Sequence, residues 1–319
     1  MLLLIVTAAV VFVAATNGAN ANFKGVASLY GSGTASLRTA LVWGTATTFV
    51  GSLAAAVLAS GLLKQFSGRG LVVDALAATP LFVAAVGIGA ASASLLATRY
   101  GFPVSTTHSL VGALVGAGVA GGGDVQWPAL GKNFVVPLLV SPLLAVVLAS
   151  VLYPALRAVG LAPARRTAAL DAAHYVSTGG ASFARGLNDA PKMAALLMAV
   201  PDADATIAIV TVALAMAIGG LAWGRRVAET LGKRVTDMDP GQGFAVSLAT
   251  AGLVTTASLH SLPVSTTHVS VGALVGLGST TRQAHWRKIA EIFVAWVTTV
   301  PCGAILAAVA WWVLEGVAG

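Results

Sequence analysis

This sequence contains one stretch twice: PVSTTHSLVGALVGAG at residues 103–118 and PVSTTHVSVGALVGLG at residues 263–278. Thirteen of the sixteen positions are identical. The polar Pro-Val-Ser-Thr-Thr-His part is too specific to arise by chance, even in a chain rich in Ala, Val and Gly. A repeat of this kind indicates that the chain is built from two related structural units.

A second, weaker pair of motifs precedes these copies. The sequence reads GANANFK at residues 18–24 and GLNDAPK at residues 186–192. The offset between the halves is 168 residues for this pair and 160 for the other, so the motifs keep their order and nearly their separation. We therefore predict two homologous repeats, at 1–160 and 161–319. The aligned residues are Gly18 with Gly186, Asn20 with Asn188, and Lys24 with Lys192.

Composition places both repeats in a membrane. Hydrophobic residues make up 57% of the chain and charged residues 9%, whereas a soluble domain is about 25% charged. A chain this apolar must face lipid, where only helices or closed barrels satisfy the backbone. The apolar runs are long and continuous, unlike the short alternating strands of a barrel. We predict an all-α, polytopic transmembrane bundle, with residues 1–15 as the first span because they lack the basic region of a signal peptide.

The net charge of +7 does not indicate nucleic acid as a partner. The cations lie mainly in short loops, which is how a membrane protein anchors and orients itself in the lipid bilayer. Several apolar stretches are too short to span alone, at about 20 residues per span. They begin at Pro-containing or polar boundaries, which predicts half-helices or re-entrant hairpins.

Repeats with interrupted helices are typical of secondary transporters, which bind substrate where broken helices meet near the bilayer midplane. The two halves are inverted if each contains an odd number of spans. We favour the inverted arrangement, with the basic stretch 225–234 as a cytoplasmic loop.

The paired PVSTTH segments are candidate anion sites. Proline cannot continue a preceding helix, and Ser and Thr are good N-caps, so helices should begin near Ser105 and Ser265. The free N–H groups and positive dipole end of such a helix attract anions. The alternative is an ordinary helix start whose hydroxyls bond their own backbone, but two matching copies favour the anion site. The candidate hydroxyls are those of Ser105, Thr106, Thr107, Ser265, Thr266 and Thr267.

One histidine follows each Thr-Thr pair, namely His108 and His268. Such a histidine can pack and orient neighbours, contact the anion, handle a proton or bind a metal. A zinc site would need more Cys, His or carboxylate ligands nearby than this chain offers. The downstream Val-Gly-Ala-Leu-Val-Gly runs predict close helix packing through small residues.

The other motif pair carries charge at the edges of apolar runs. A charge at bilayer depth costs about 2.5–3.5 kcal/mol on insertion scales, so it usually faces a cavity or a partner. Asp189 can pair with Lys192 or with Lys24, and Asn20 and Asn188 offer amide groups at matching positions. The alternative for Arg185 and the two lysines is that they extend to the membrane surface.

These motifs together resemble the inorganic phosphate transporter (PiT) family, and the resemblance covers nearly the whole chain. It implies an inverted-repeat helical fold, usually a homodimer, that carries phosphate inward with sodium or protons, some members carrying sulfate. It also implies that the six hydroxyl residues above hold the anion together with Asn20, Asn188 and Asp189.

The sequence departs from the family pattern Gly-Ala-Asn-Asp-x-x-Asn, whose Asp and Asn residues help to bind sodium. Ala21 stands where the first Asp is expected, and Lys24 and Lys192 replace the last Asn of each copy. A lysine ammonium can supply the charge of a sodium ion and bind phosphate, and it repels a nearby cation. We therefore expect at most a weak sodium site at Asn20, Asn188 and Asp189.

Proton coupling is then the favoured mechanism, with Asp189, His108 or His268 as the coupling or orienting group. We expect an integral protein of a prokaryotic inner membrane that moves inorganic phosphate, with Lys24 and Lys192 among the binding residues and no cofactor. The alternatives are a sulfate or other oxyanion permease, an anion channel, and a membrane enzyme. Phosphate is favoured over sulfate because Asp189 can accept the phosphate proton. The chain has no nucleotide-binding G-x-x-x-x-G-K-[ST] motif.

Overall fold

The computed structural model describes residues 2–198 and 203–318, and in these ranges the chain is a bundle of helices. Strand pairing in the described part is limited to isolated bridges at Arg69–Val72 and Thr236–Ala284. The predicted all-α class is confirmed.

The first repeat contains α1 (Leu2–Ala21), α2 (Ala27–Gly31), α3 (Leu37–Leu58), α4 (Ser60–Gln65), α5 (Asp74–Ala77), α6 (Pro80–Arg99), α7 (Thr106–Ala120), α8 (Trp127–Leu130) and, after a π-helical turn at Gly131–Val135, α9 (Val136–Ala158). The second contains α10 (Ala168–Leu197), α11 (Ala205–Trp223), α12 (Arg225–Lys233), α13 (Pro240–Leu259), α14 (Thr266–Thr281) and α15 (Trp286–Ala318).

Seven helices of the described chain are long and apolar enough to cross a membrane. The 30-residue α10 is also long enough, at about 1.5 Å per residue, but several charged residues lower its hydropathy. The chain is therefore an integral membrane protein, as composition predicted. The seven apolar segments long enough to cross are Leu4–Ala21, Leu37–Leu58, Pro80–Arg99, Trp127–Ala158, Ala205–Trp223, Pro240–Leu259 and Trp286–Val317.

The two PVSTTH segments begin short helices, as predicted. The Ser105 hydroxyl accepts the His108 N–H at 3.2 Å, and the Ser265 hydroxyl accepts the His268 N–H at 3.1 Å. Non-helical residues before each cap join α6 to α7 and α13 to α14. Each repeat thus contains a helical hairpin with an irregular tip, as expected of interrupted helices.

Packing follows the repeat. Helix α1 packs against α6 of its own half and α11 of the other, while α10 packs against α13 and α3 in the corresponding way. Helix α7 packs on α15, and α14 packs on α9. The halves therefore interlock rather than stand side by side. The boundary predicted at 160/161 falls in the linker between α9 and α10, and it stays a prediction.

The first long helix is broken where its counterpart is not. Residues 22–26 form a turn between α1 and α2, whereas the aligned part of α10 is continuous. At Gly25 a Cβ atom would lie 2.7 Å from the Ser182 backbone, so only glycine fits at this crossing. The turn carries Lys24 into the interior between the two halves.

The loops fall on two opposite faces of the bundle. On the face that we call the basic face, Lys233 donates to the Gly31 carbonyl at 3.4 Å, and Arg166 donates to the Thr34 carbonyl at 3.0 Å. Arg157 also lies 3.8 Å from Asp239 there. The other face holds the loops around residues 66–79 and 121–126, joined by a 2.8 Å bond from Gln126 N–H to the Leu71 carbonyl.

Glycines of the repeated Val-Gly-Ala-Leu-Val-Gly runs lie at close helix crossings. A Cβ atom at Gly116 would lie 2.0 Å from the Ala304 carbonyl oxygen, and one at Gly276 would lie 2.3 Å from the Val146 oxygen. Both distances are far below van der Waals contact. The atoms concerned belong to the backbone, so a helix would have to shift to make room for a side chain. The predicted close packing through small residues is confirmed.

Replacing Gly116 or Gly276 with Ala should lower the free energy of unfolding by about 1–3 kcal/mol, as overpacking typically does. Gly252→Ala is the matched control, because Gly252 is helical and a Cβ atom there meets nothing within 4 Å. Thermal unfolding of the three variants in detergent measures the effect. Equal melting temperatures for all of them would contradict the close crossings.

Candidate functional site

Four charged side chains are buried in the middle of the bundle. In the ranges with described side chains, no other Asp, Glu, Lys or Arg is buried. The exposed fraction is 4% for Lys24, 1% for Arg185, 4% for Asp189 and 1% for Lys192. The alternative that Arg185 and the lysines extend to the membrane surface is therefore wrong. We call these four residues the buried charge cluster.

Asp189 lies at the centre of the cluster. Its carboxylate is 3.6 Å from Arg185 Nε and 3.5 Å from Lys192 Nζ. It also accepts hydrogen bonds of 3.3 Å from the Asn17 amide and the Thr266 hydroxyl. Of the two predicted lysine partners, Lys192 forms the pair. Asp189 thereby ties both halves of the chain together.

Arg185 makes contacts that the sequence analysis missed. Its guanidinium donates to the Asn17 side-chain oxygen, to Asn22 Oδ1 at 3.1 Å and to Thr48 Oγ1 at 3.4 Å. Asn17 aligns with Arg185 itself at the 168-residue offset. The two copies of the weaker repeat carry different residues at this position, so the repeat did not identify Asn17.

The two lysines make crossed, matching contacts. Lys24 Nζ donates to the Val104 carbonyl at 2.8 Å and to Thr267 Oγ1 of the other half at 2.5 Å. Lys192 Nζ donates to the Val264 carbonyl at 2.7 Å and to Thr107 Oγ1 of the other half at 2.9 Å. Val104 aligns with Val264 and Thr107 with Thr267. Each lysine therefore joins the two hairpin tips, and the pair follows the internal symmetry.

Asn20 and Asn188 hold the hairpins. Asn20 donates to Thr98 Oγ1 and to the Phe102 carbonyl, both at 2.9 Å, and accepts the Val104 N–H at 3.0 Å. Asn188 donates to Ser258 Oγ at 2.9 Å and accepts from Lys192. Since both side-chain oxygens accept hydrogen bonds, the predicted sodium ligands already have partners.

The helix starts of α7 and α14 meet at the cluster. Thr106 accepts the Asn17 amide at 3.0 Å, while Thr266 donates to Asp189. The first N–H groups of a helix lack an acceptor within it. The positive ends of two helices thus converge on one place. Ser105 and Ser265 instead form ordinary helix starts, the alternative considered for these motifs, because their hydroxyl oxygens cap their own helices.

His108 and His268 lie together at the same helix starts. Their ring centroids are 4.4 Å apart, and His268 stacks on Trp296 at 3.8 Å. His268 Nδ1 also lies 3.3 Å from the Leu138 carbonyl. Both rings line an apolar cavity between α9, α14 and α15. Neither ring is hydrogen-bonded to the buried charge cluster in the described structure.

The cluster is suited to bind an anion. Three cationic side chains face one carboxylate, and two helix N-termini add positive potential. Buried charge requires compensation, which a small dianion would complete. The described residues bring together no group of three or more His, Cys, Asp or Glu side chains that could hold a metal ion.

Asp189→Asn should lower the free energy of unfolding by about 3–5 kcal/mol, because it leaves buried cations unpaired. Adding Arg185→Gln to the same chain should restore part of the loss. Asp171→Asn on the same helix is the control, since its half-exposed pair with Arg166 is worth about 0–1 kcal/mol. Denaturant unfolding of the variants tests this, and similar losses for Asp189→Asn and Asp171→Asn would contradict it.

Known proteins with similar sequences are named as probable phosphate transporters. A probable low-affinity inorganic phosphate transporter from Rhizobium meliloti (strain 1021) is 30% identical, over 77% of this chain and 78% of the relative. One from Mycobacterium bovis is 29% identical, over 100% of this chain and 79% of the relative. Both names describe transporters rather than enzymes.

A solved structure shares the fold. The structure titled "The sodium-dependent phosphate transporter" superposes with a TM-score of 0.86, covers 98% of this chain and 99% of its own, and is 23% identical in sequence. The model of the phosphate transporter family matches this sequence twice, at residues 17–171 and 162–307. The two matches cover most of both repeats. The chain belongs to the phosphate transporter family.

Proposed function

We propose that this protein is a secondary transporter that binds inorganic phosphate at the buried charge cluster and couples its movement to protons. The observation that carries the proposal is the excess of cationic side chains where the two hairpins meet. With Lys24, Arg185 and Lys192 charged, Asp189 balances one of three positive charges. A hydrogen phosphate dianion would balance the other two. The relatives' names support phosphate as the substrate.

Phosphate is favoured over sulfate by the acceptor at the centre of the site. The Asp189 carboxylate lies beside Thr266 and both helix starts, where the anion would sit. A carboxylate can accept a hydrogen bond from a protonated oxyanion but repels one without a proton. Hydrogen phosphate carries that proton at neutral pH and sulfate does not.

The lysines favour protons over sodium. Lys192 Nζ lies against Asn188 Oδ1 and 3.5 Å from Asp189, so an ammonium group is placed among the predicted sodium ligands. Two like charges about 4 Å apart repel by roughly 4 kcal/mol at an effective dielectric of 20. In the first half, Ala21 provides no carboxylate at the position that aligns with Asp189. The solved relative is sodium-dependent by its title, and these residues are where this chain would differ.

We further propose that the repeats are inverted and that the basic face is cytoplasmic. Spans α1, α3 and α9 cross in the first half, while the α6–α7 hairpin enters and returns. The second half repeats this order from the opposite face. Short cytoplasmic loops are enriched in Lys and Arg. On or next to the basic face lie Arg38, Arg99, Arg157, Arg165, Arg166, Arg225, Arg226, Lys233, Arg234, Arg282, Arg287 and Lys288, against Lys64, Arg69 and Lys132 on the other.

Radiolabelled phosphate uptake into proteoliposomes tests the function. We expect saturable uptake that follows an inward proton gradient, ignores a sodium gradient at constant pH and ionic strength, and is not inhibited by excess sulfate. Unlabelled internal phosphate should accelerate entry by counterflow, which a channel does not show. Steep stimulation of uptake by sodium would contradict proton coupling. Conductance without counterflow would contradict a carrier mechanism.

Lys24→Gln and Lys192→Gln should each raise the KM for phosphate by about 10- to 100-fold, because each removes a charged hydrogen bond worth about 1.5–3 kcal/mol. Lys132→Gln is the control, as Lys132 is exposed in the π-helical turn before α9. Concentration-dependent counterflow measures the KM. An unchanged KM in both variants would remove the lysines from the binding site.

Restoring the family pattern in the first half should create sodium dependence. The double variant Ala21→Asp with Lys24→Asn adds a carboxylate and removes a cation, so its uptake should rise with sodium. Lys24→Asn alone is the control, because it lacks the new carboxylate. Double-variant uptake that ignores sodium would show that these two positions do not set the coupling ion.

A further inference from the structure

A buried histidine outside the charge cluster lies between the cluster and the basic face. His174 of α10 is fully buried, and Nε2 lies 2.9 Å from the Ser28 hydroxyl. On its other side, Nδ1 lies 3.4 Å from Thr34 Oγ1. Thr34 is 2.9 Å from the hydroxyl of Ser32, which is partly exposed. The chain Ser28–His174–Thr34–Ser32 therefore reaches solvent from the interior.

The inner end of this chain borders Lys24. A cavity of about 10 Å³ is lined by Lys24 and by the hydroxyl-bearing residues Ser28, Ser247, Thr250 and Ser270. That volume is about the size of one water site. The hydroxyls of Ser247, Thr250 and Ser270 donate to backbone carbonyls, so their oxygens remain able to accept a hydrogen bond from a water. One water molecule would connect Lys24 with Ser28 and complete a continuous hydrogen-bonded path.

Among the described residues, the inner part of the path has no counterpart beside the other lysine. His174 aligns with Val6 and Ser28 with Leu196, both of which belong to a hydrophobic core cluster. The fold is repeated, yet the polar pair Ser28–His174 occurs in one half only, so the fold itself does not require it. The cavity hydroxyls also align with residues that lack a polar side chain: Ser247 with Gly87, Thr250 with Ala90, and Ser270 with Leu110.

We infer that Ser28, His174, Thr34 and Ser32 form a proton path that carries the coupling proton from Lys24 to the basic face. The inference rests on the proposed proton-coupled function. It identifies where the proton leaves the protein. It also gives the lysines different roles, because the described residues form no such route from Lys192.

The transfer balances one proton in and one proton out. The Lys24 ammonium gives a proton to the water, which passes one to Ser28, and Ser28 gives its own to His174 Nε2. His174 releases the proton on Nδ1 to Thr34, whose hydroxyl proton passes to Ser32 and then to solvent. Lys24 becomes a neutral amine and holds phosphate less strongly, which couples proton exit to net phosphate release. Exchange of one phosphate for another leaves the proton on Lys24 and does not use the path. Rotation of the hydroxyls and exchange of the ring tautomer reset the path.

An ion pair lies beside the outer end of the path. Asp171 lies one turn before His174 on α10 and is paired with Arg166, which also donates to the Thr34 carbonyl at 3.0 Å. This pair holds the loop that positions Thr34. Lys24 is the charged group at the inner end.

The test compares two fluxes in proteoliposomes that contain the full chain. One is phosphate counterflow at equal pH on both sides, which needs no net proton movement. The other is phosphate uptake driven by a proton gradient, together with internal acidification read from a trapped pH dye. The variants are His174→Gln and Ser28→Ala, and His285→Gln is the control because His285 is half-exposed in a loop of the basic face. The glutamine side chain can still bond Ser28 and Thr34.

We expect His174→Gln to lower proton-driven uptake and acidification by about 100-fold, the usual effect of removing a proton-transferring side chain. Counterflow should stay near that of the unmodified protein, and His285→Gln should change neither flux. An equal fall in both fluxes would assign His174 a structural role and overturn the path, as would no change in either.

The unmodified protein separates the two proposals. Counterflow without acidification would overturn proton coupling and the path but keep phosphate transport. Absence of counterflow would overturn the transport function itself.

Discussion

The structure depends on the burial of three cations around one carboxylate at the place where its two halves cross. Charges cost free energy in a low-dielectric interior unless they are paired and hydrogen-bonded. Asp189 therefore has to lie within reach of Arg185 and Lys192, and Lys24 has to reach carbonyl and hydroxyl groups of both hairpin tips. These requirements fix the register of α10 against α1 and against the starts of α7 and α14.

The internal repeat uses one sequence motif twice to build this arrangement. The same Pro-Val-Ser-Thr-Thr-His segment ends one irregular tip and caps one helix in each half. Because each lysine crosses to the threonine of the other half, neither hairpin can be placed without its partner. Close glycine crossings then hold the helices behind the tips. The two repeats differ at Ala21, which aligns with Asp189. They also differ at His174, which aligns with a valine of the apolar core. Both departures bear on the proposed coupling of phosphate movement to protons.

Much of this was predictable from the sequence for a local reason. Composition requires helices in lipid, the repeat requires related halves, and Pro followed by Ser requires a break with a capped start, each without knowledge of distant contacts. The charged motif also gave Lys192 and Lys24 as the two possible partners of Asp189, and the structure pairs Asp189 with Lys192, its neighbour three residues on along the helix. Asn17 was missed because it is a single polar residue in an apolar run and forms no sequence pattern. Its role becomes visible only in the structure, where Arg185 donates to its side-chain oxygen.

The amino-acid sequence by itself determined the membrane environment, the two repeats, the helix starts and the identity of the candidate anion-binding groups. Only the tertiary structure decided that the serines cap their own helices while the threonines receive the lysines of the opposite half. It also placed both histidines of the repeated motif away from the charge cluster and placed His174 on a chain that approaches it. The physical reason is that capping and hydropathy act over a few residues. The partner of a buried polar group is instead set by which helices cross, over separations of more than a hundred residues.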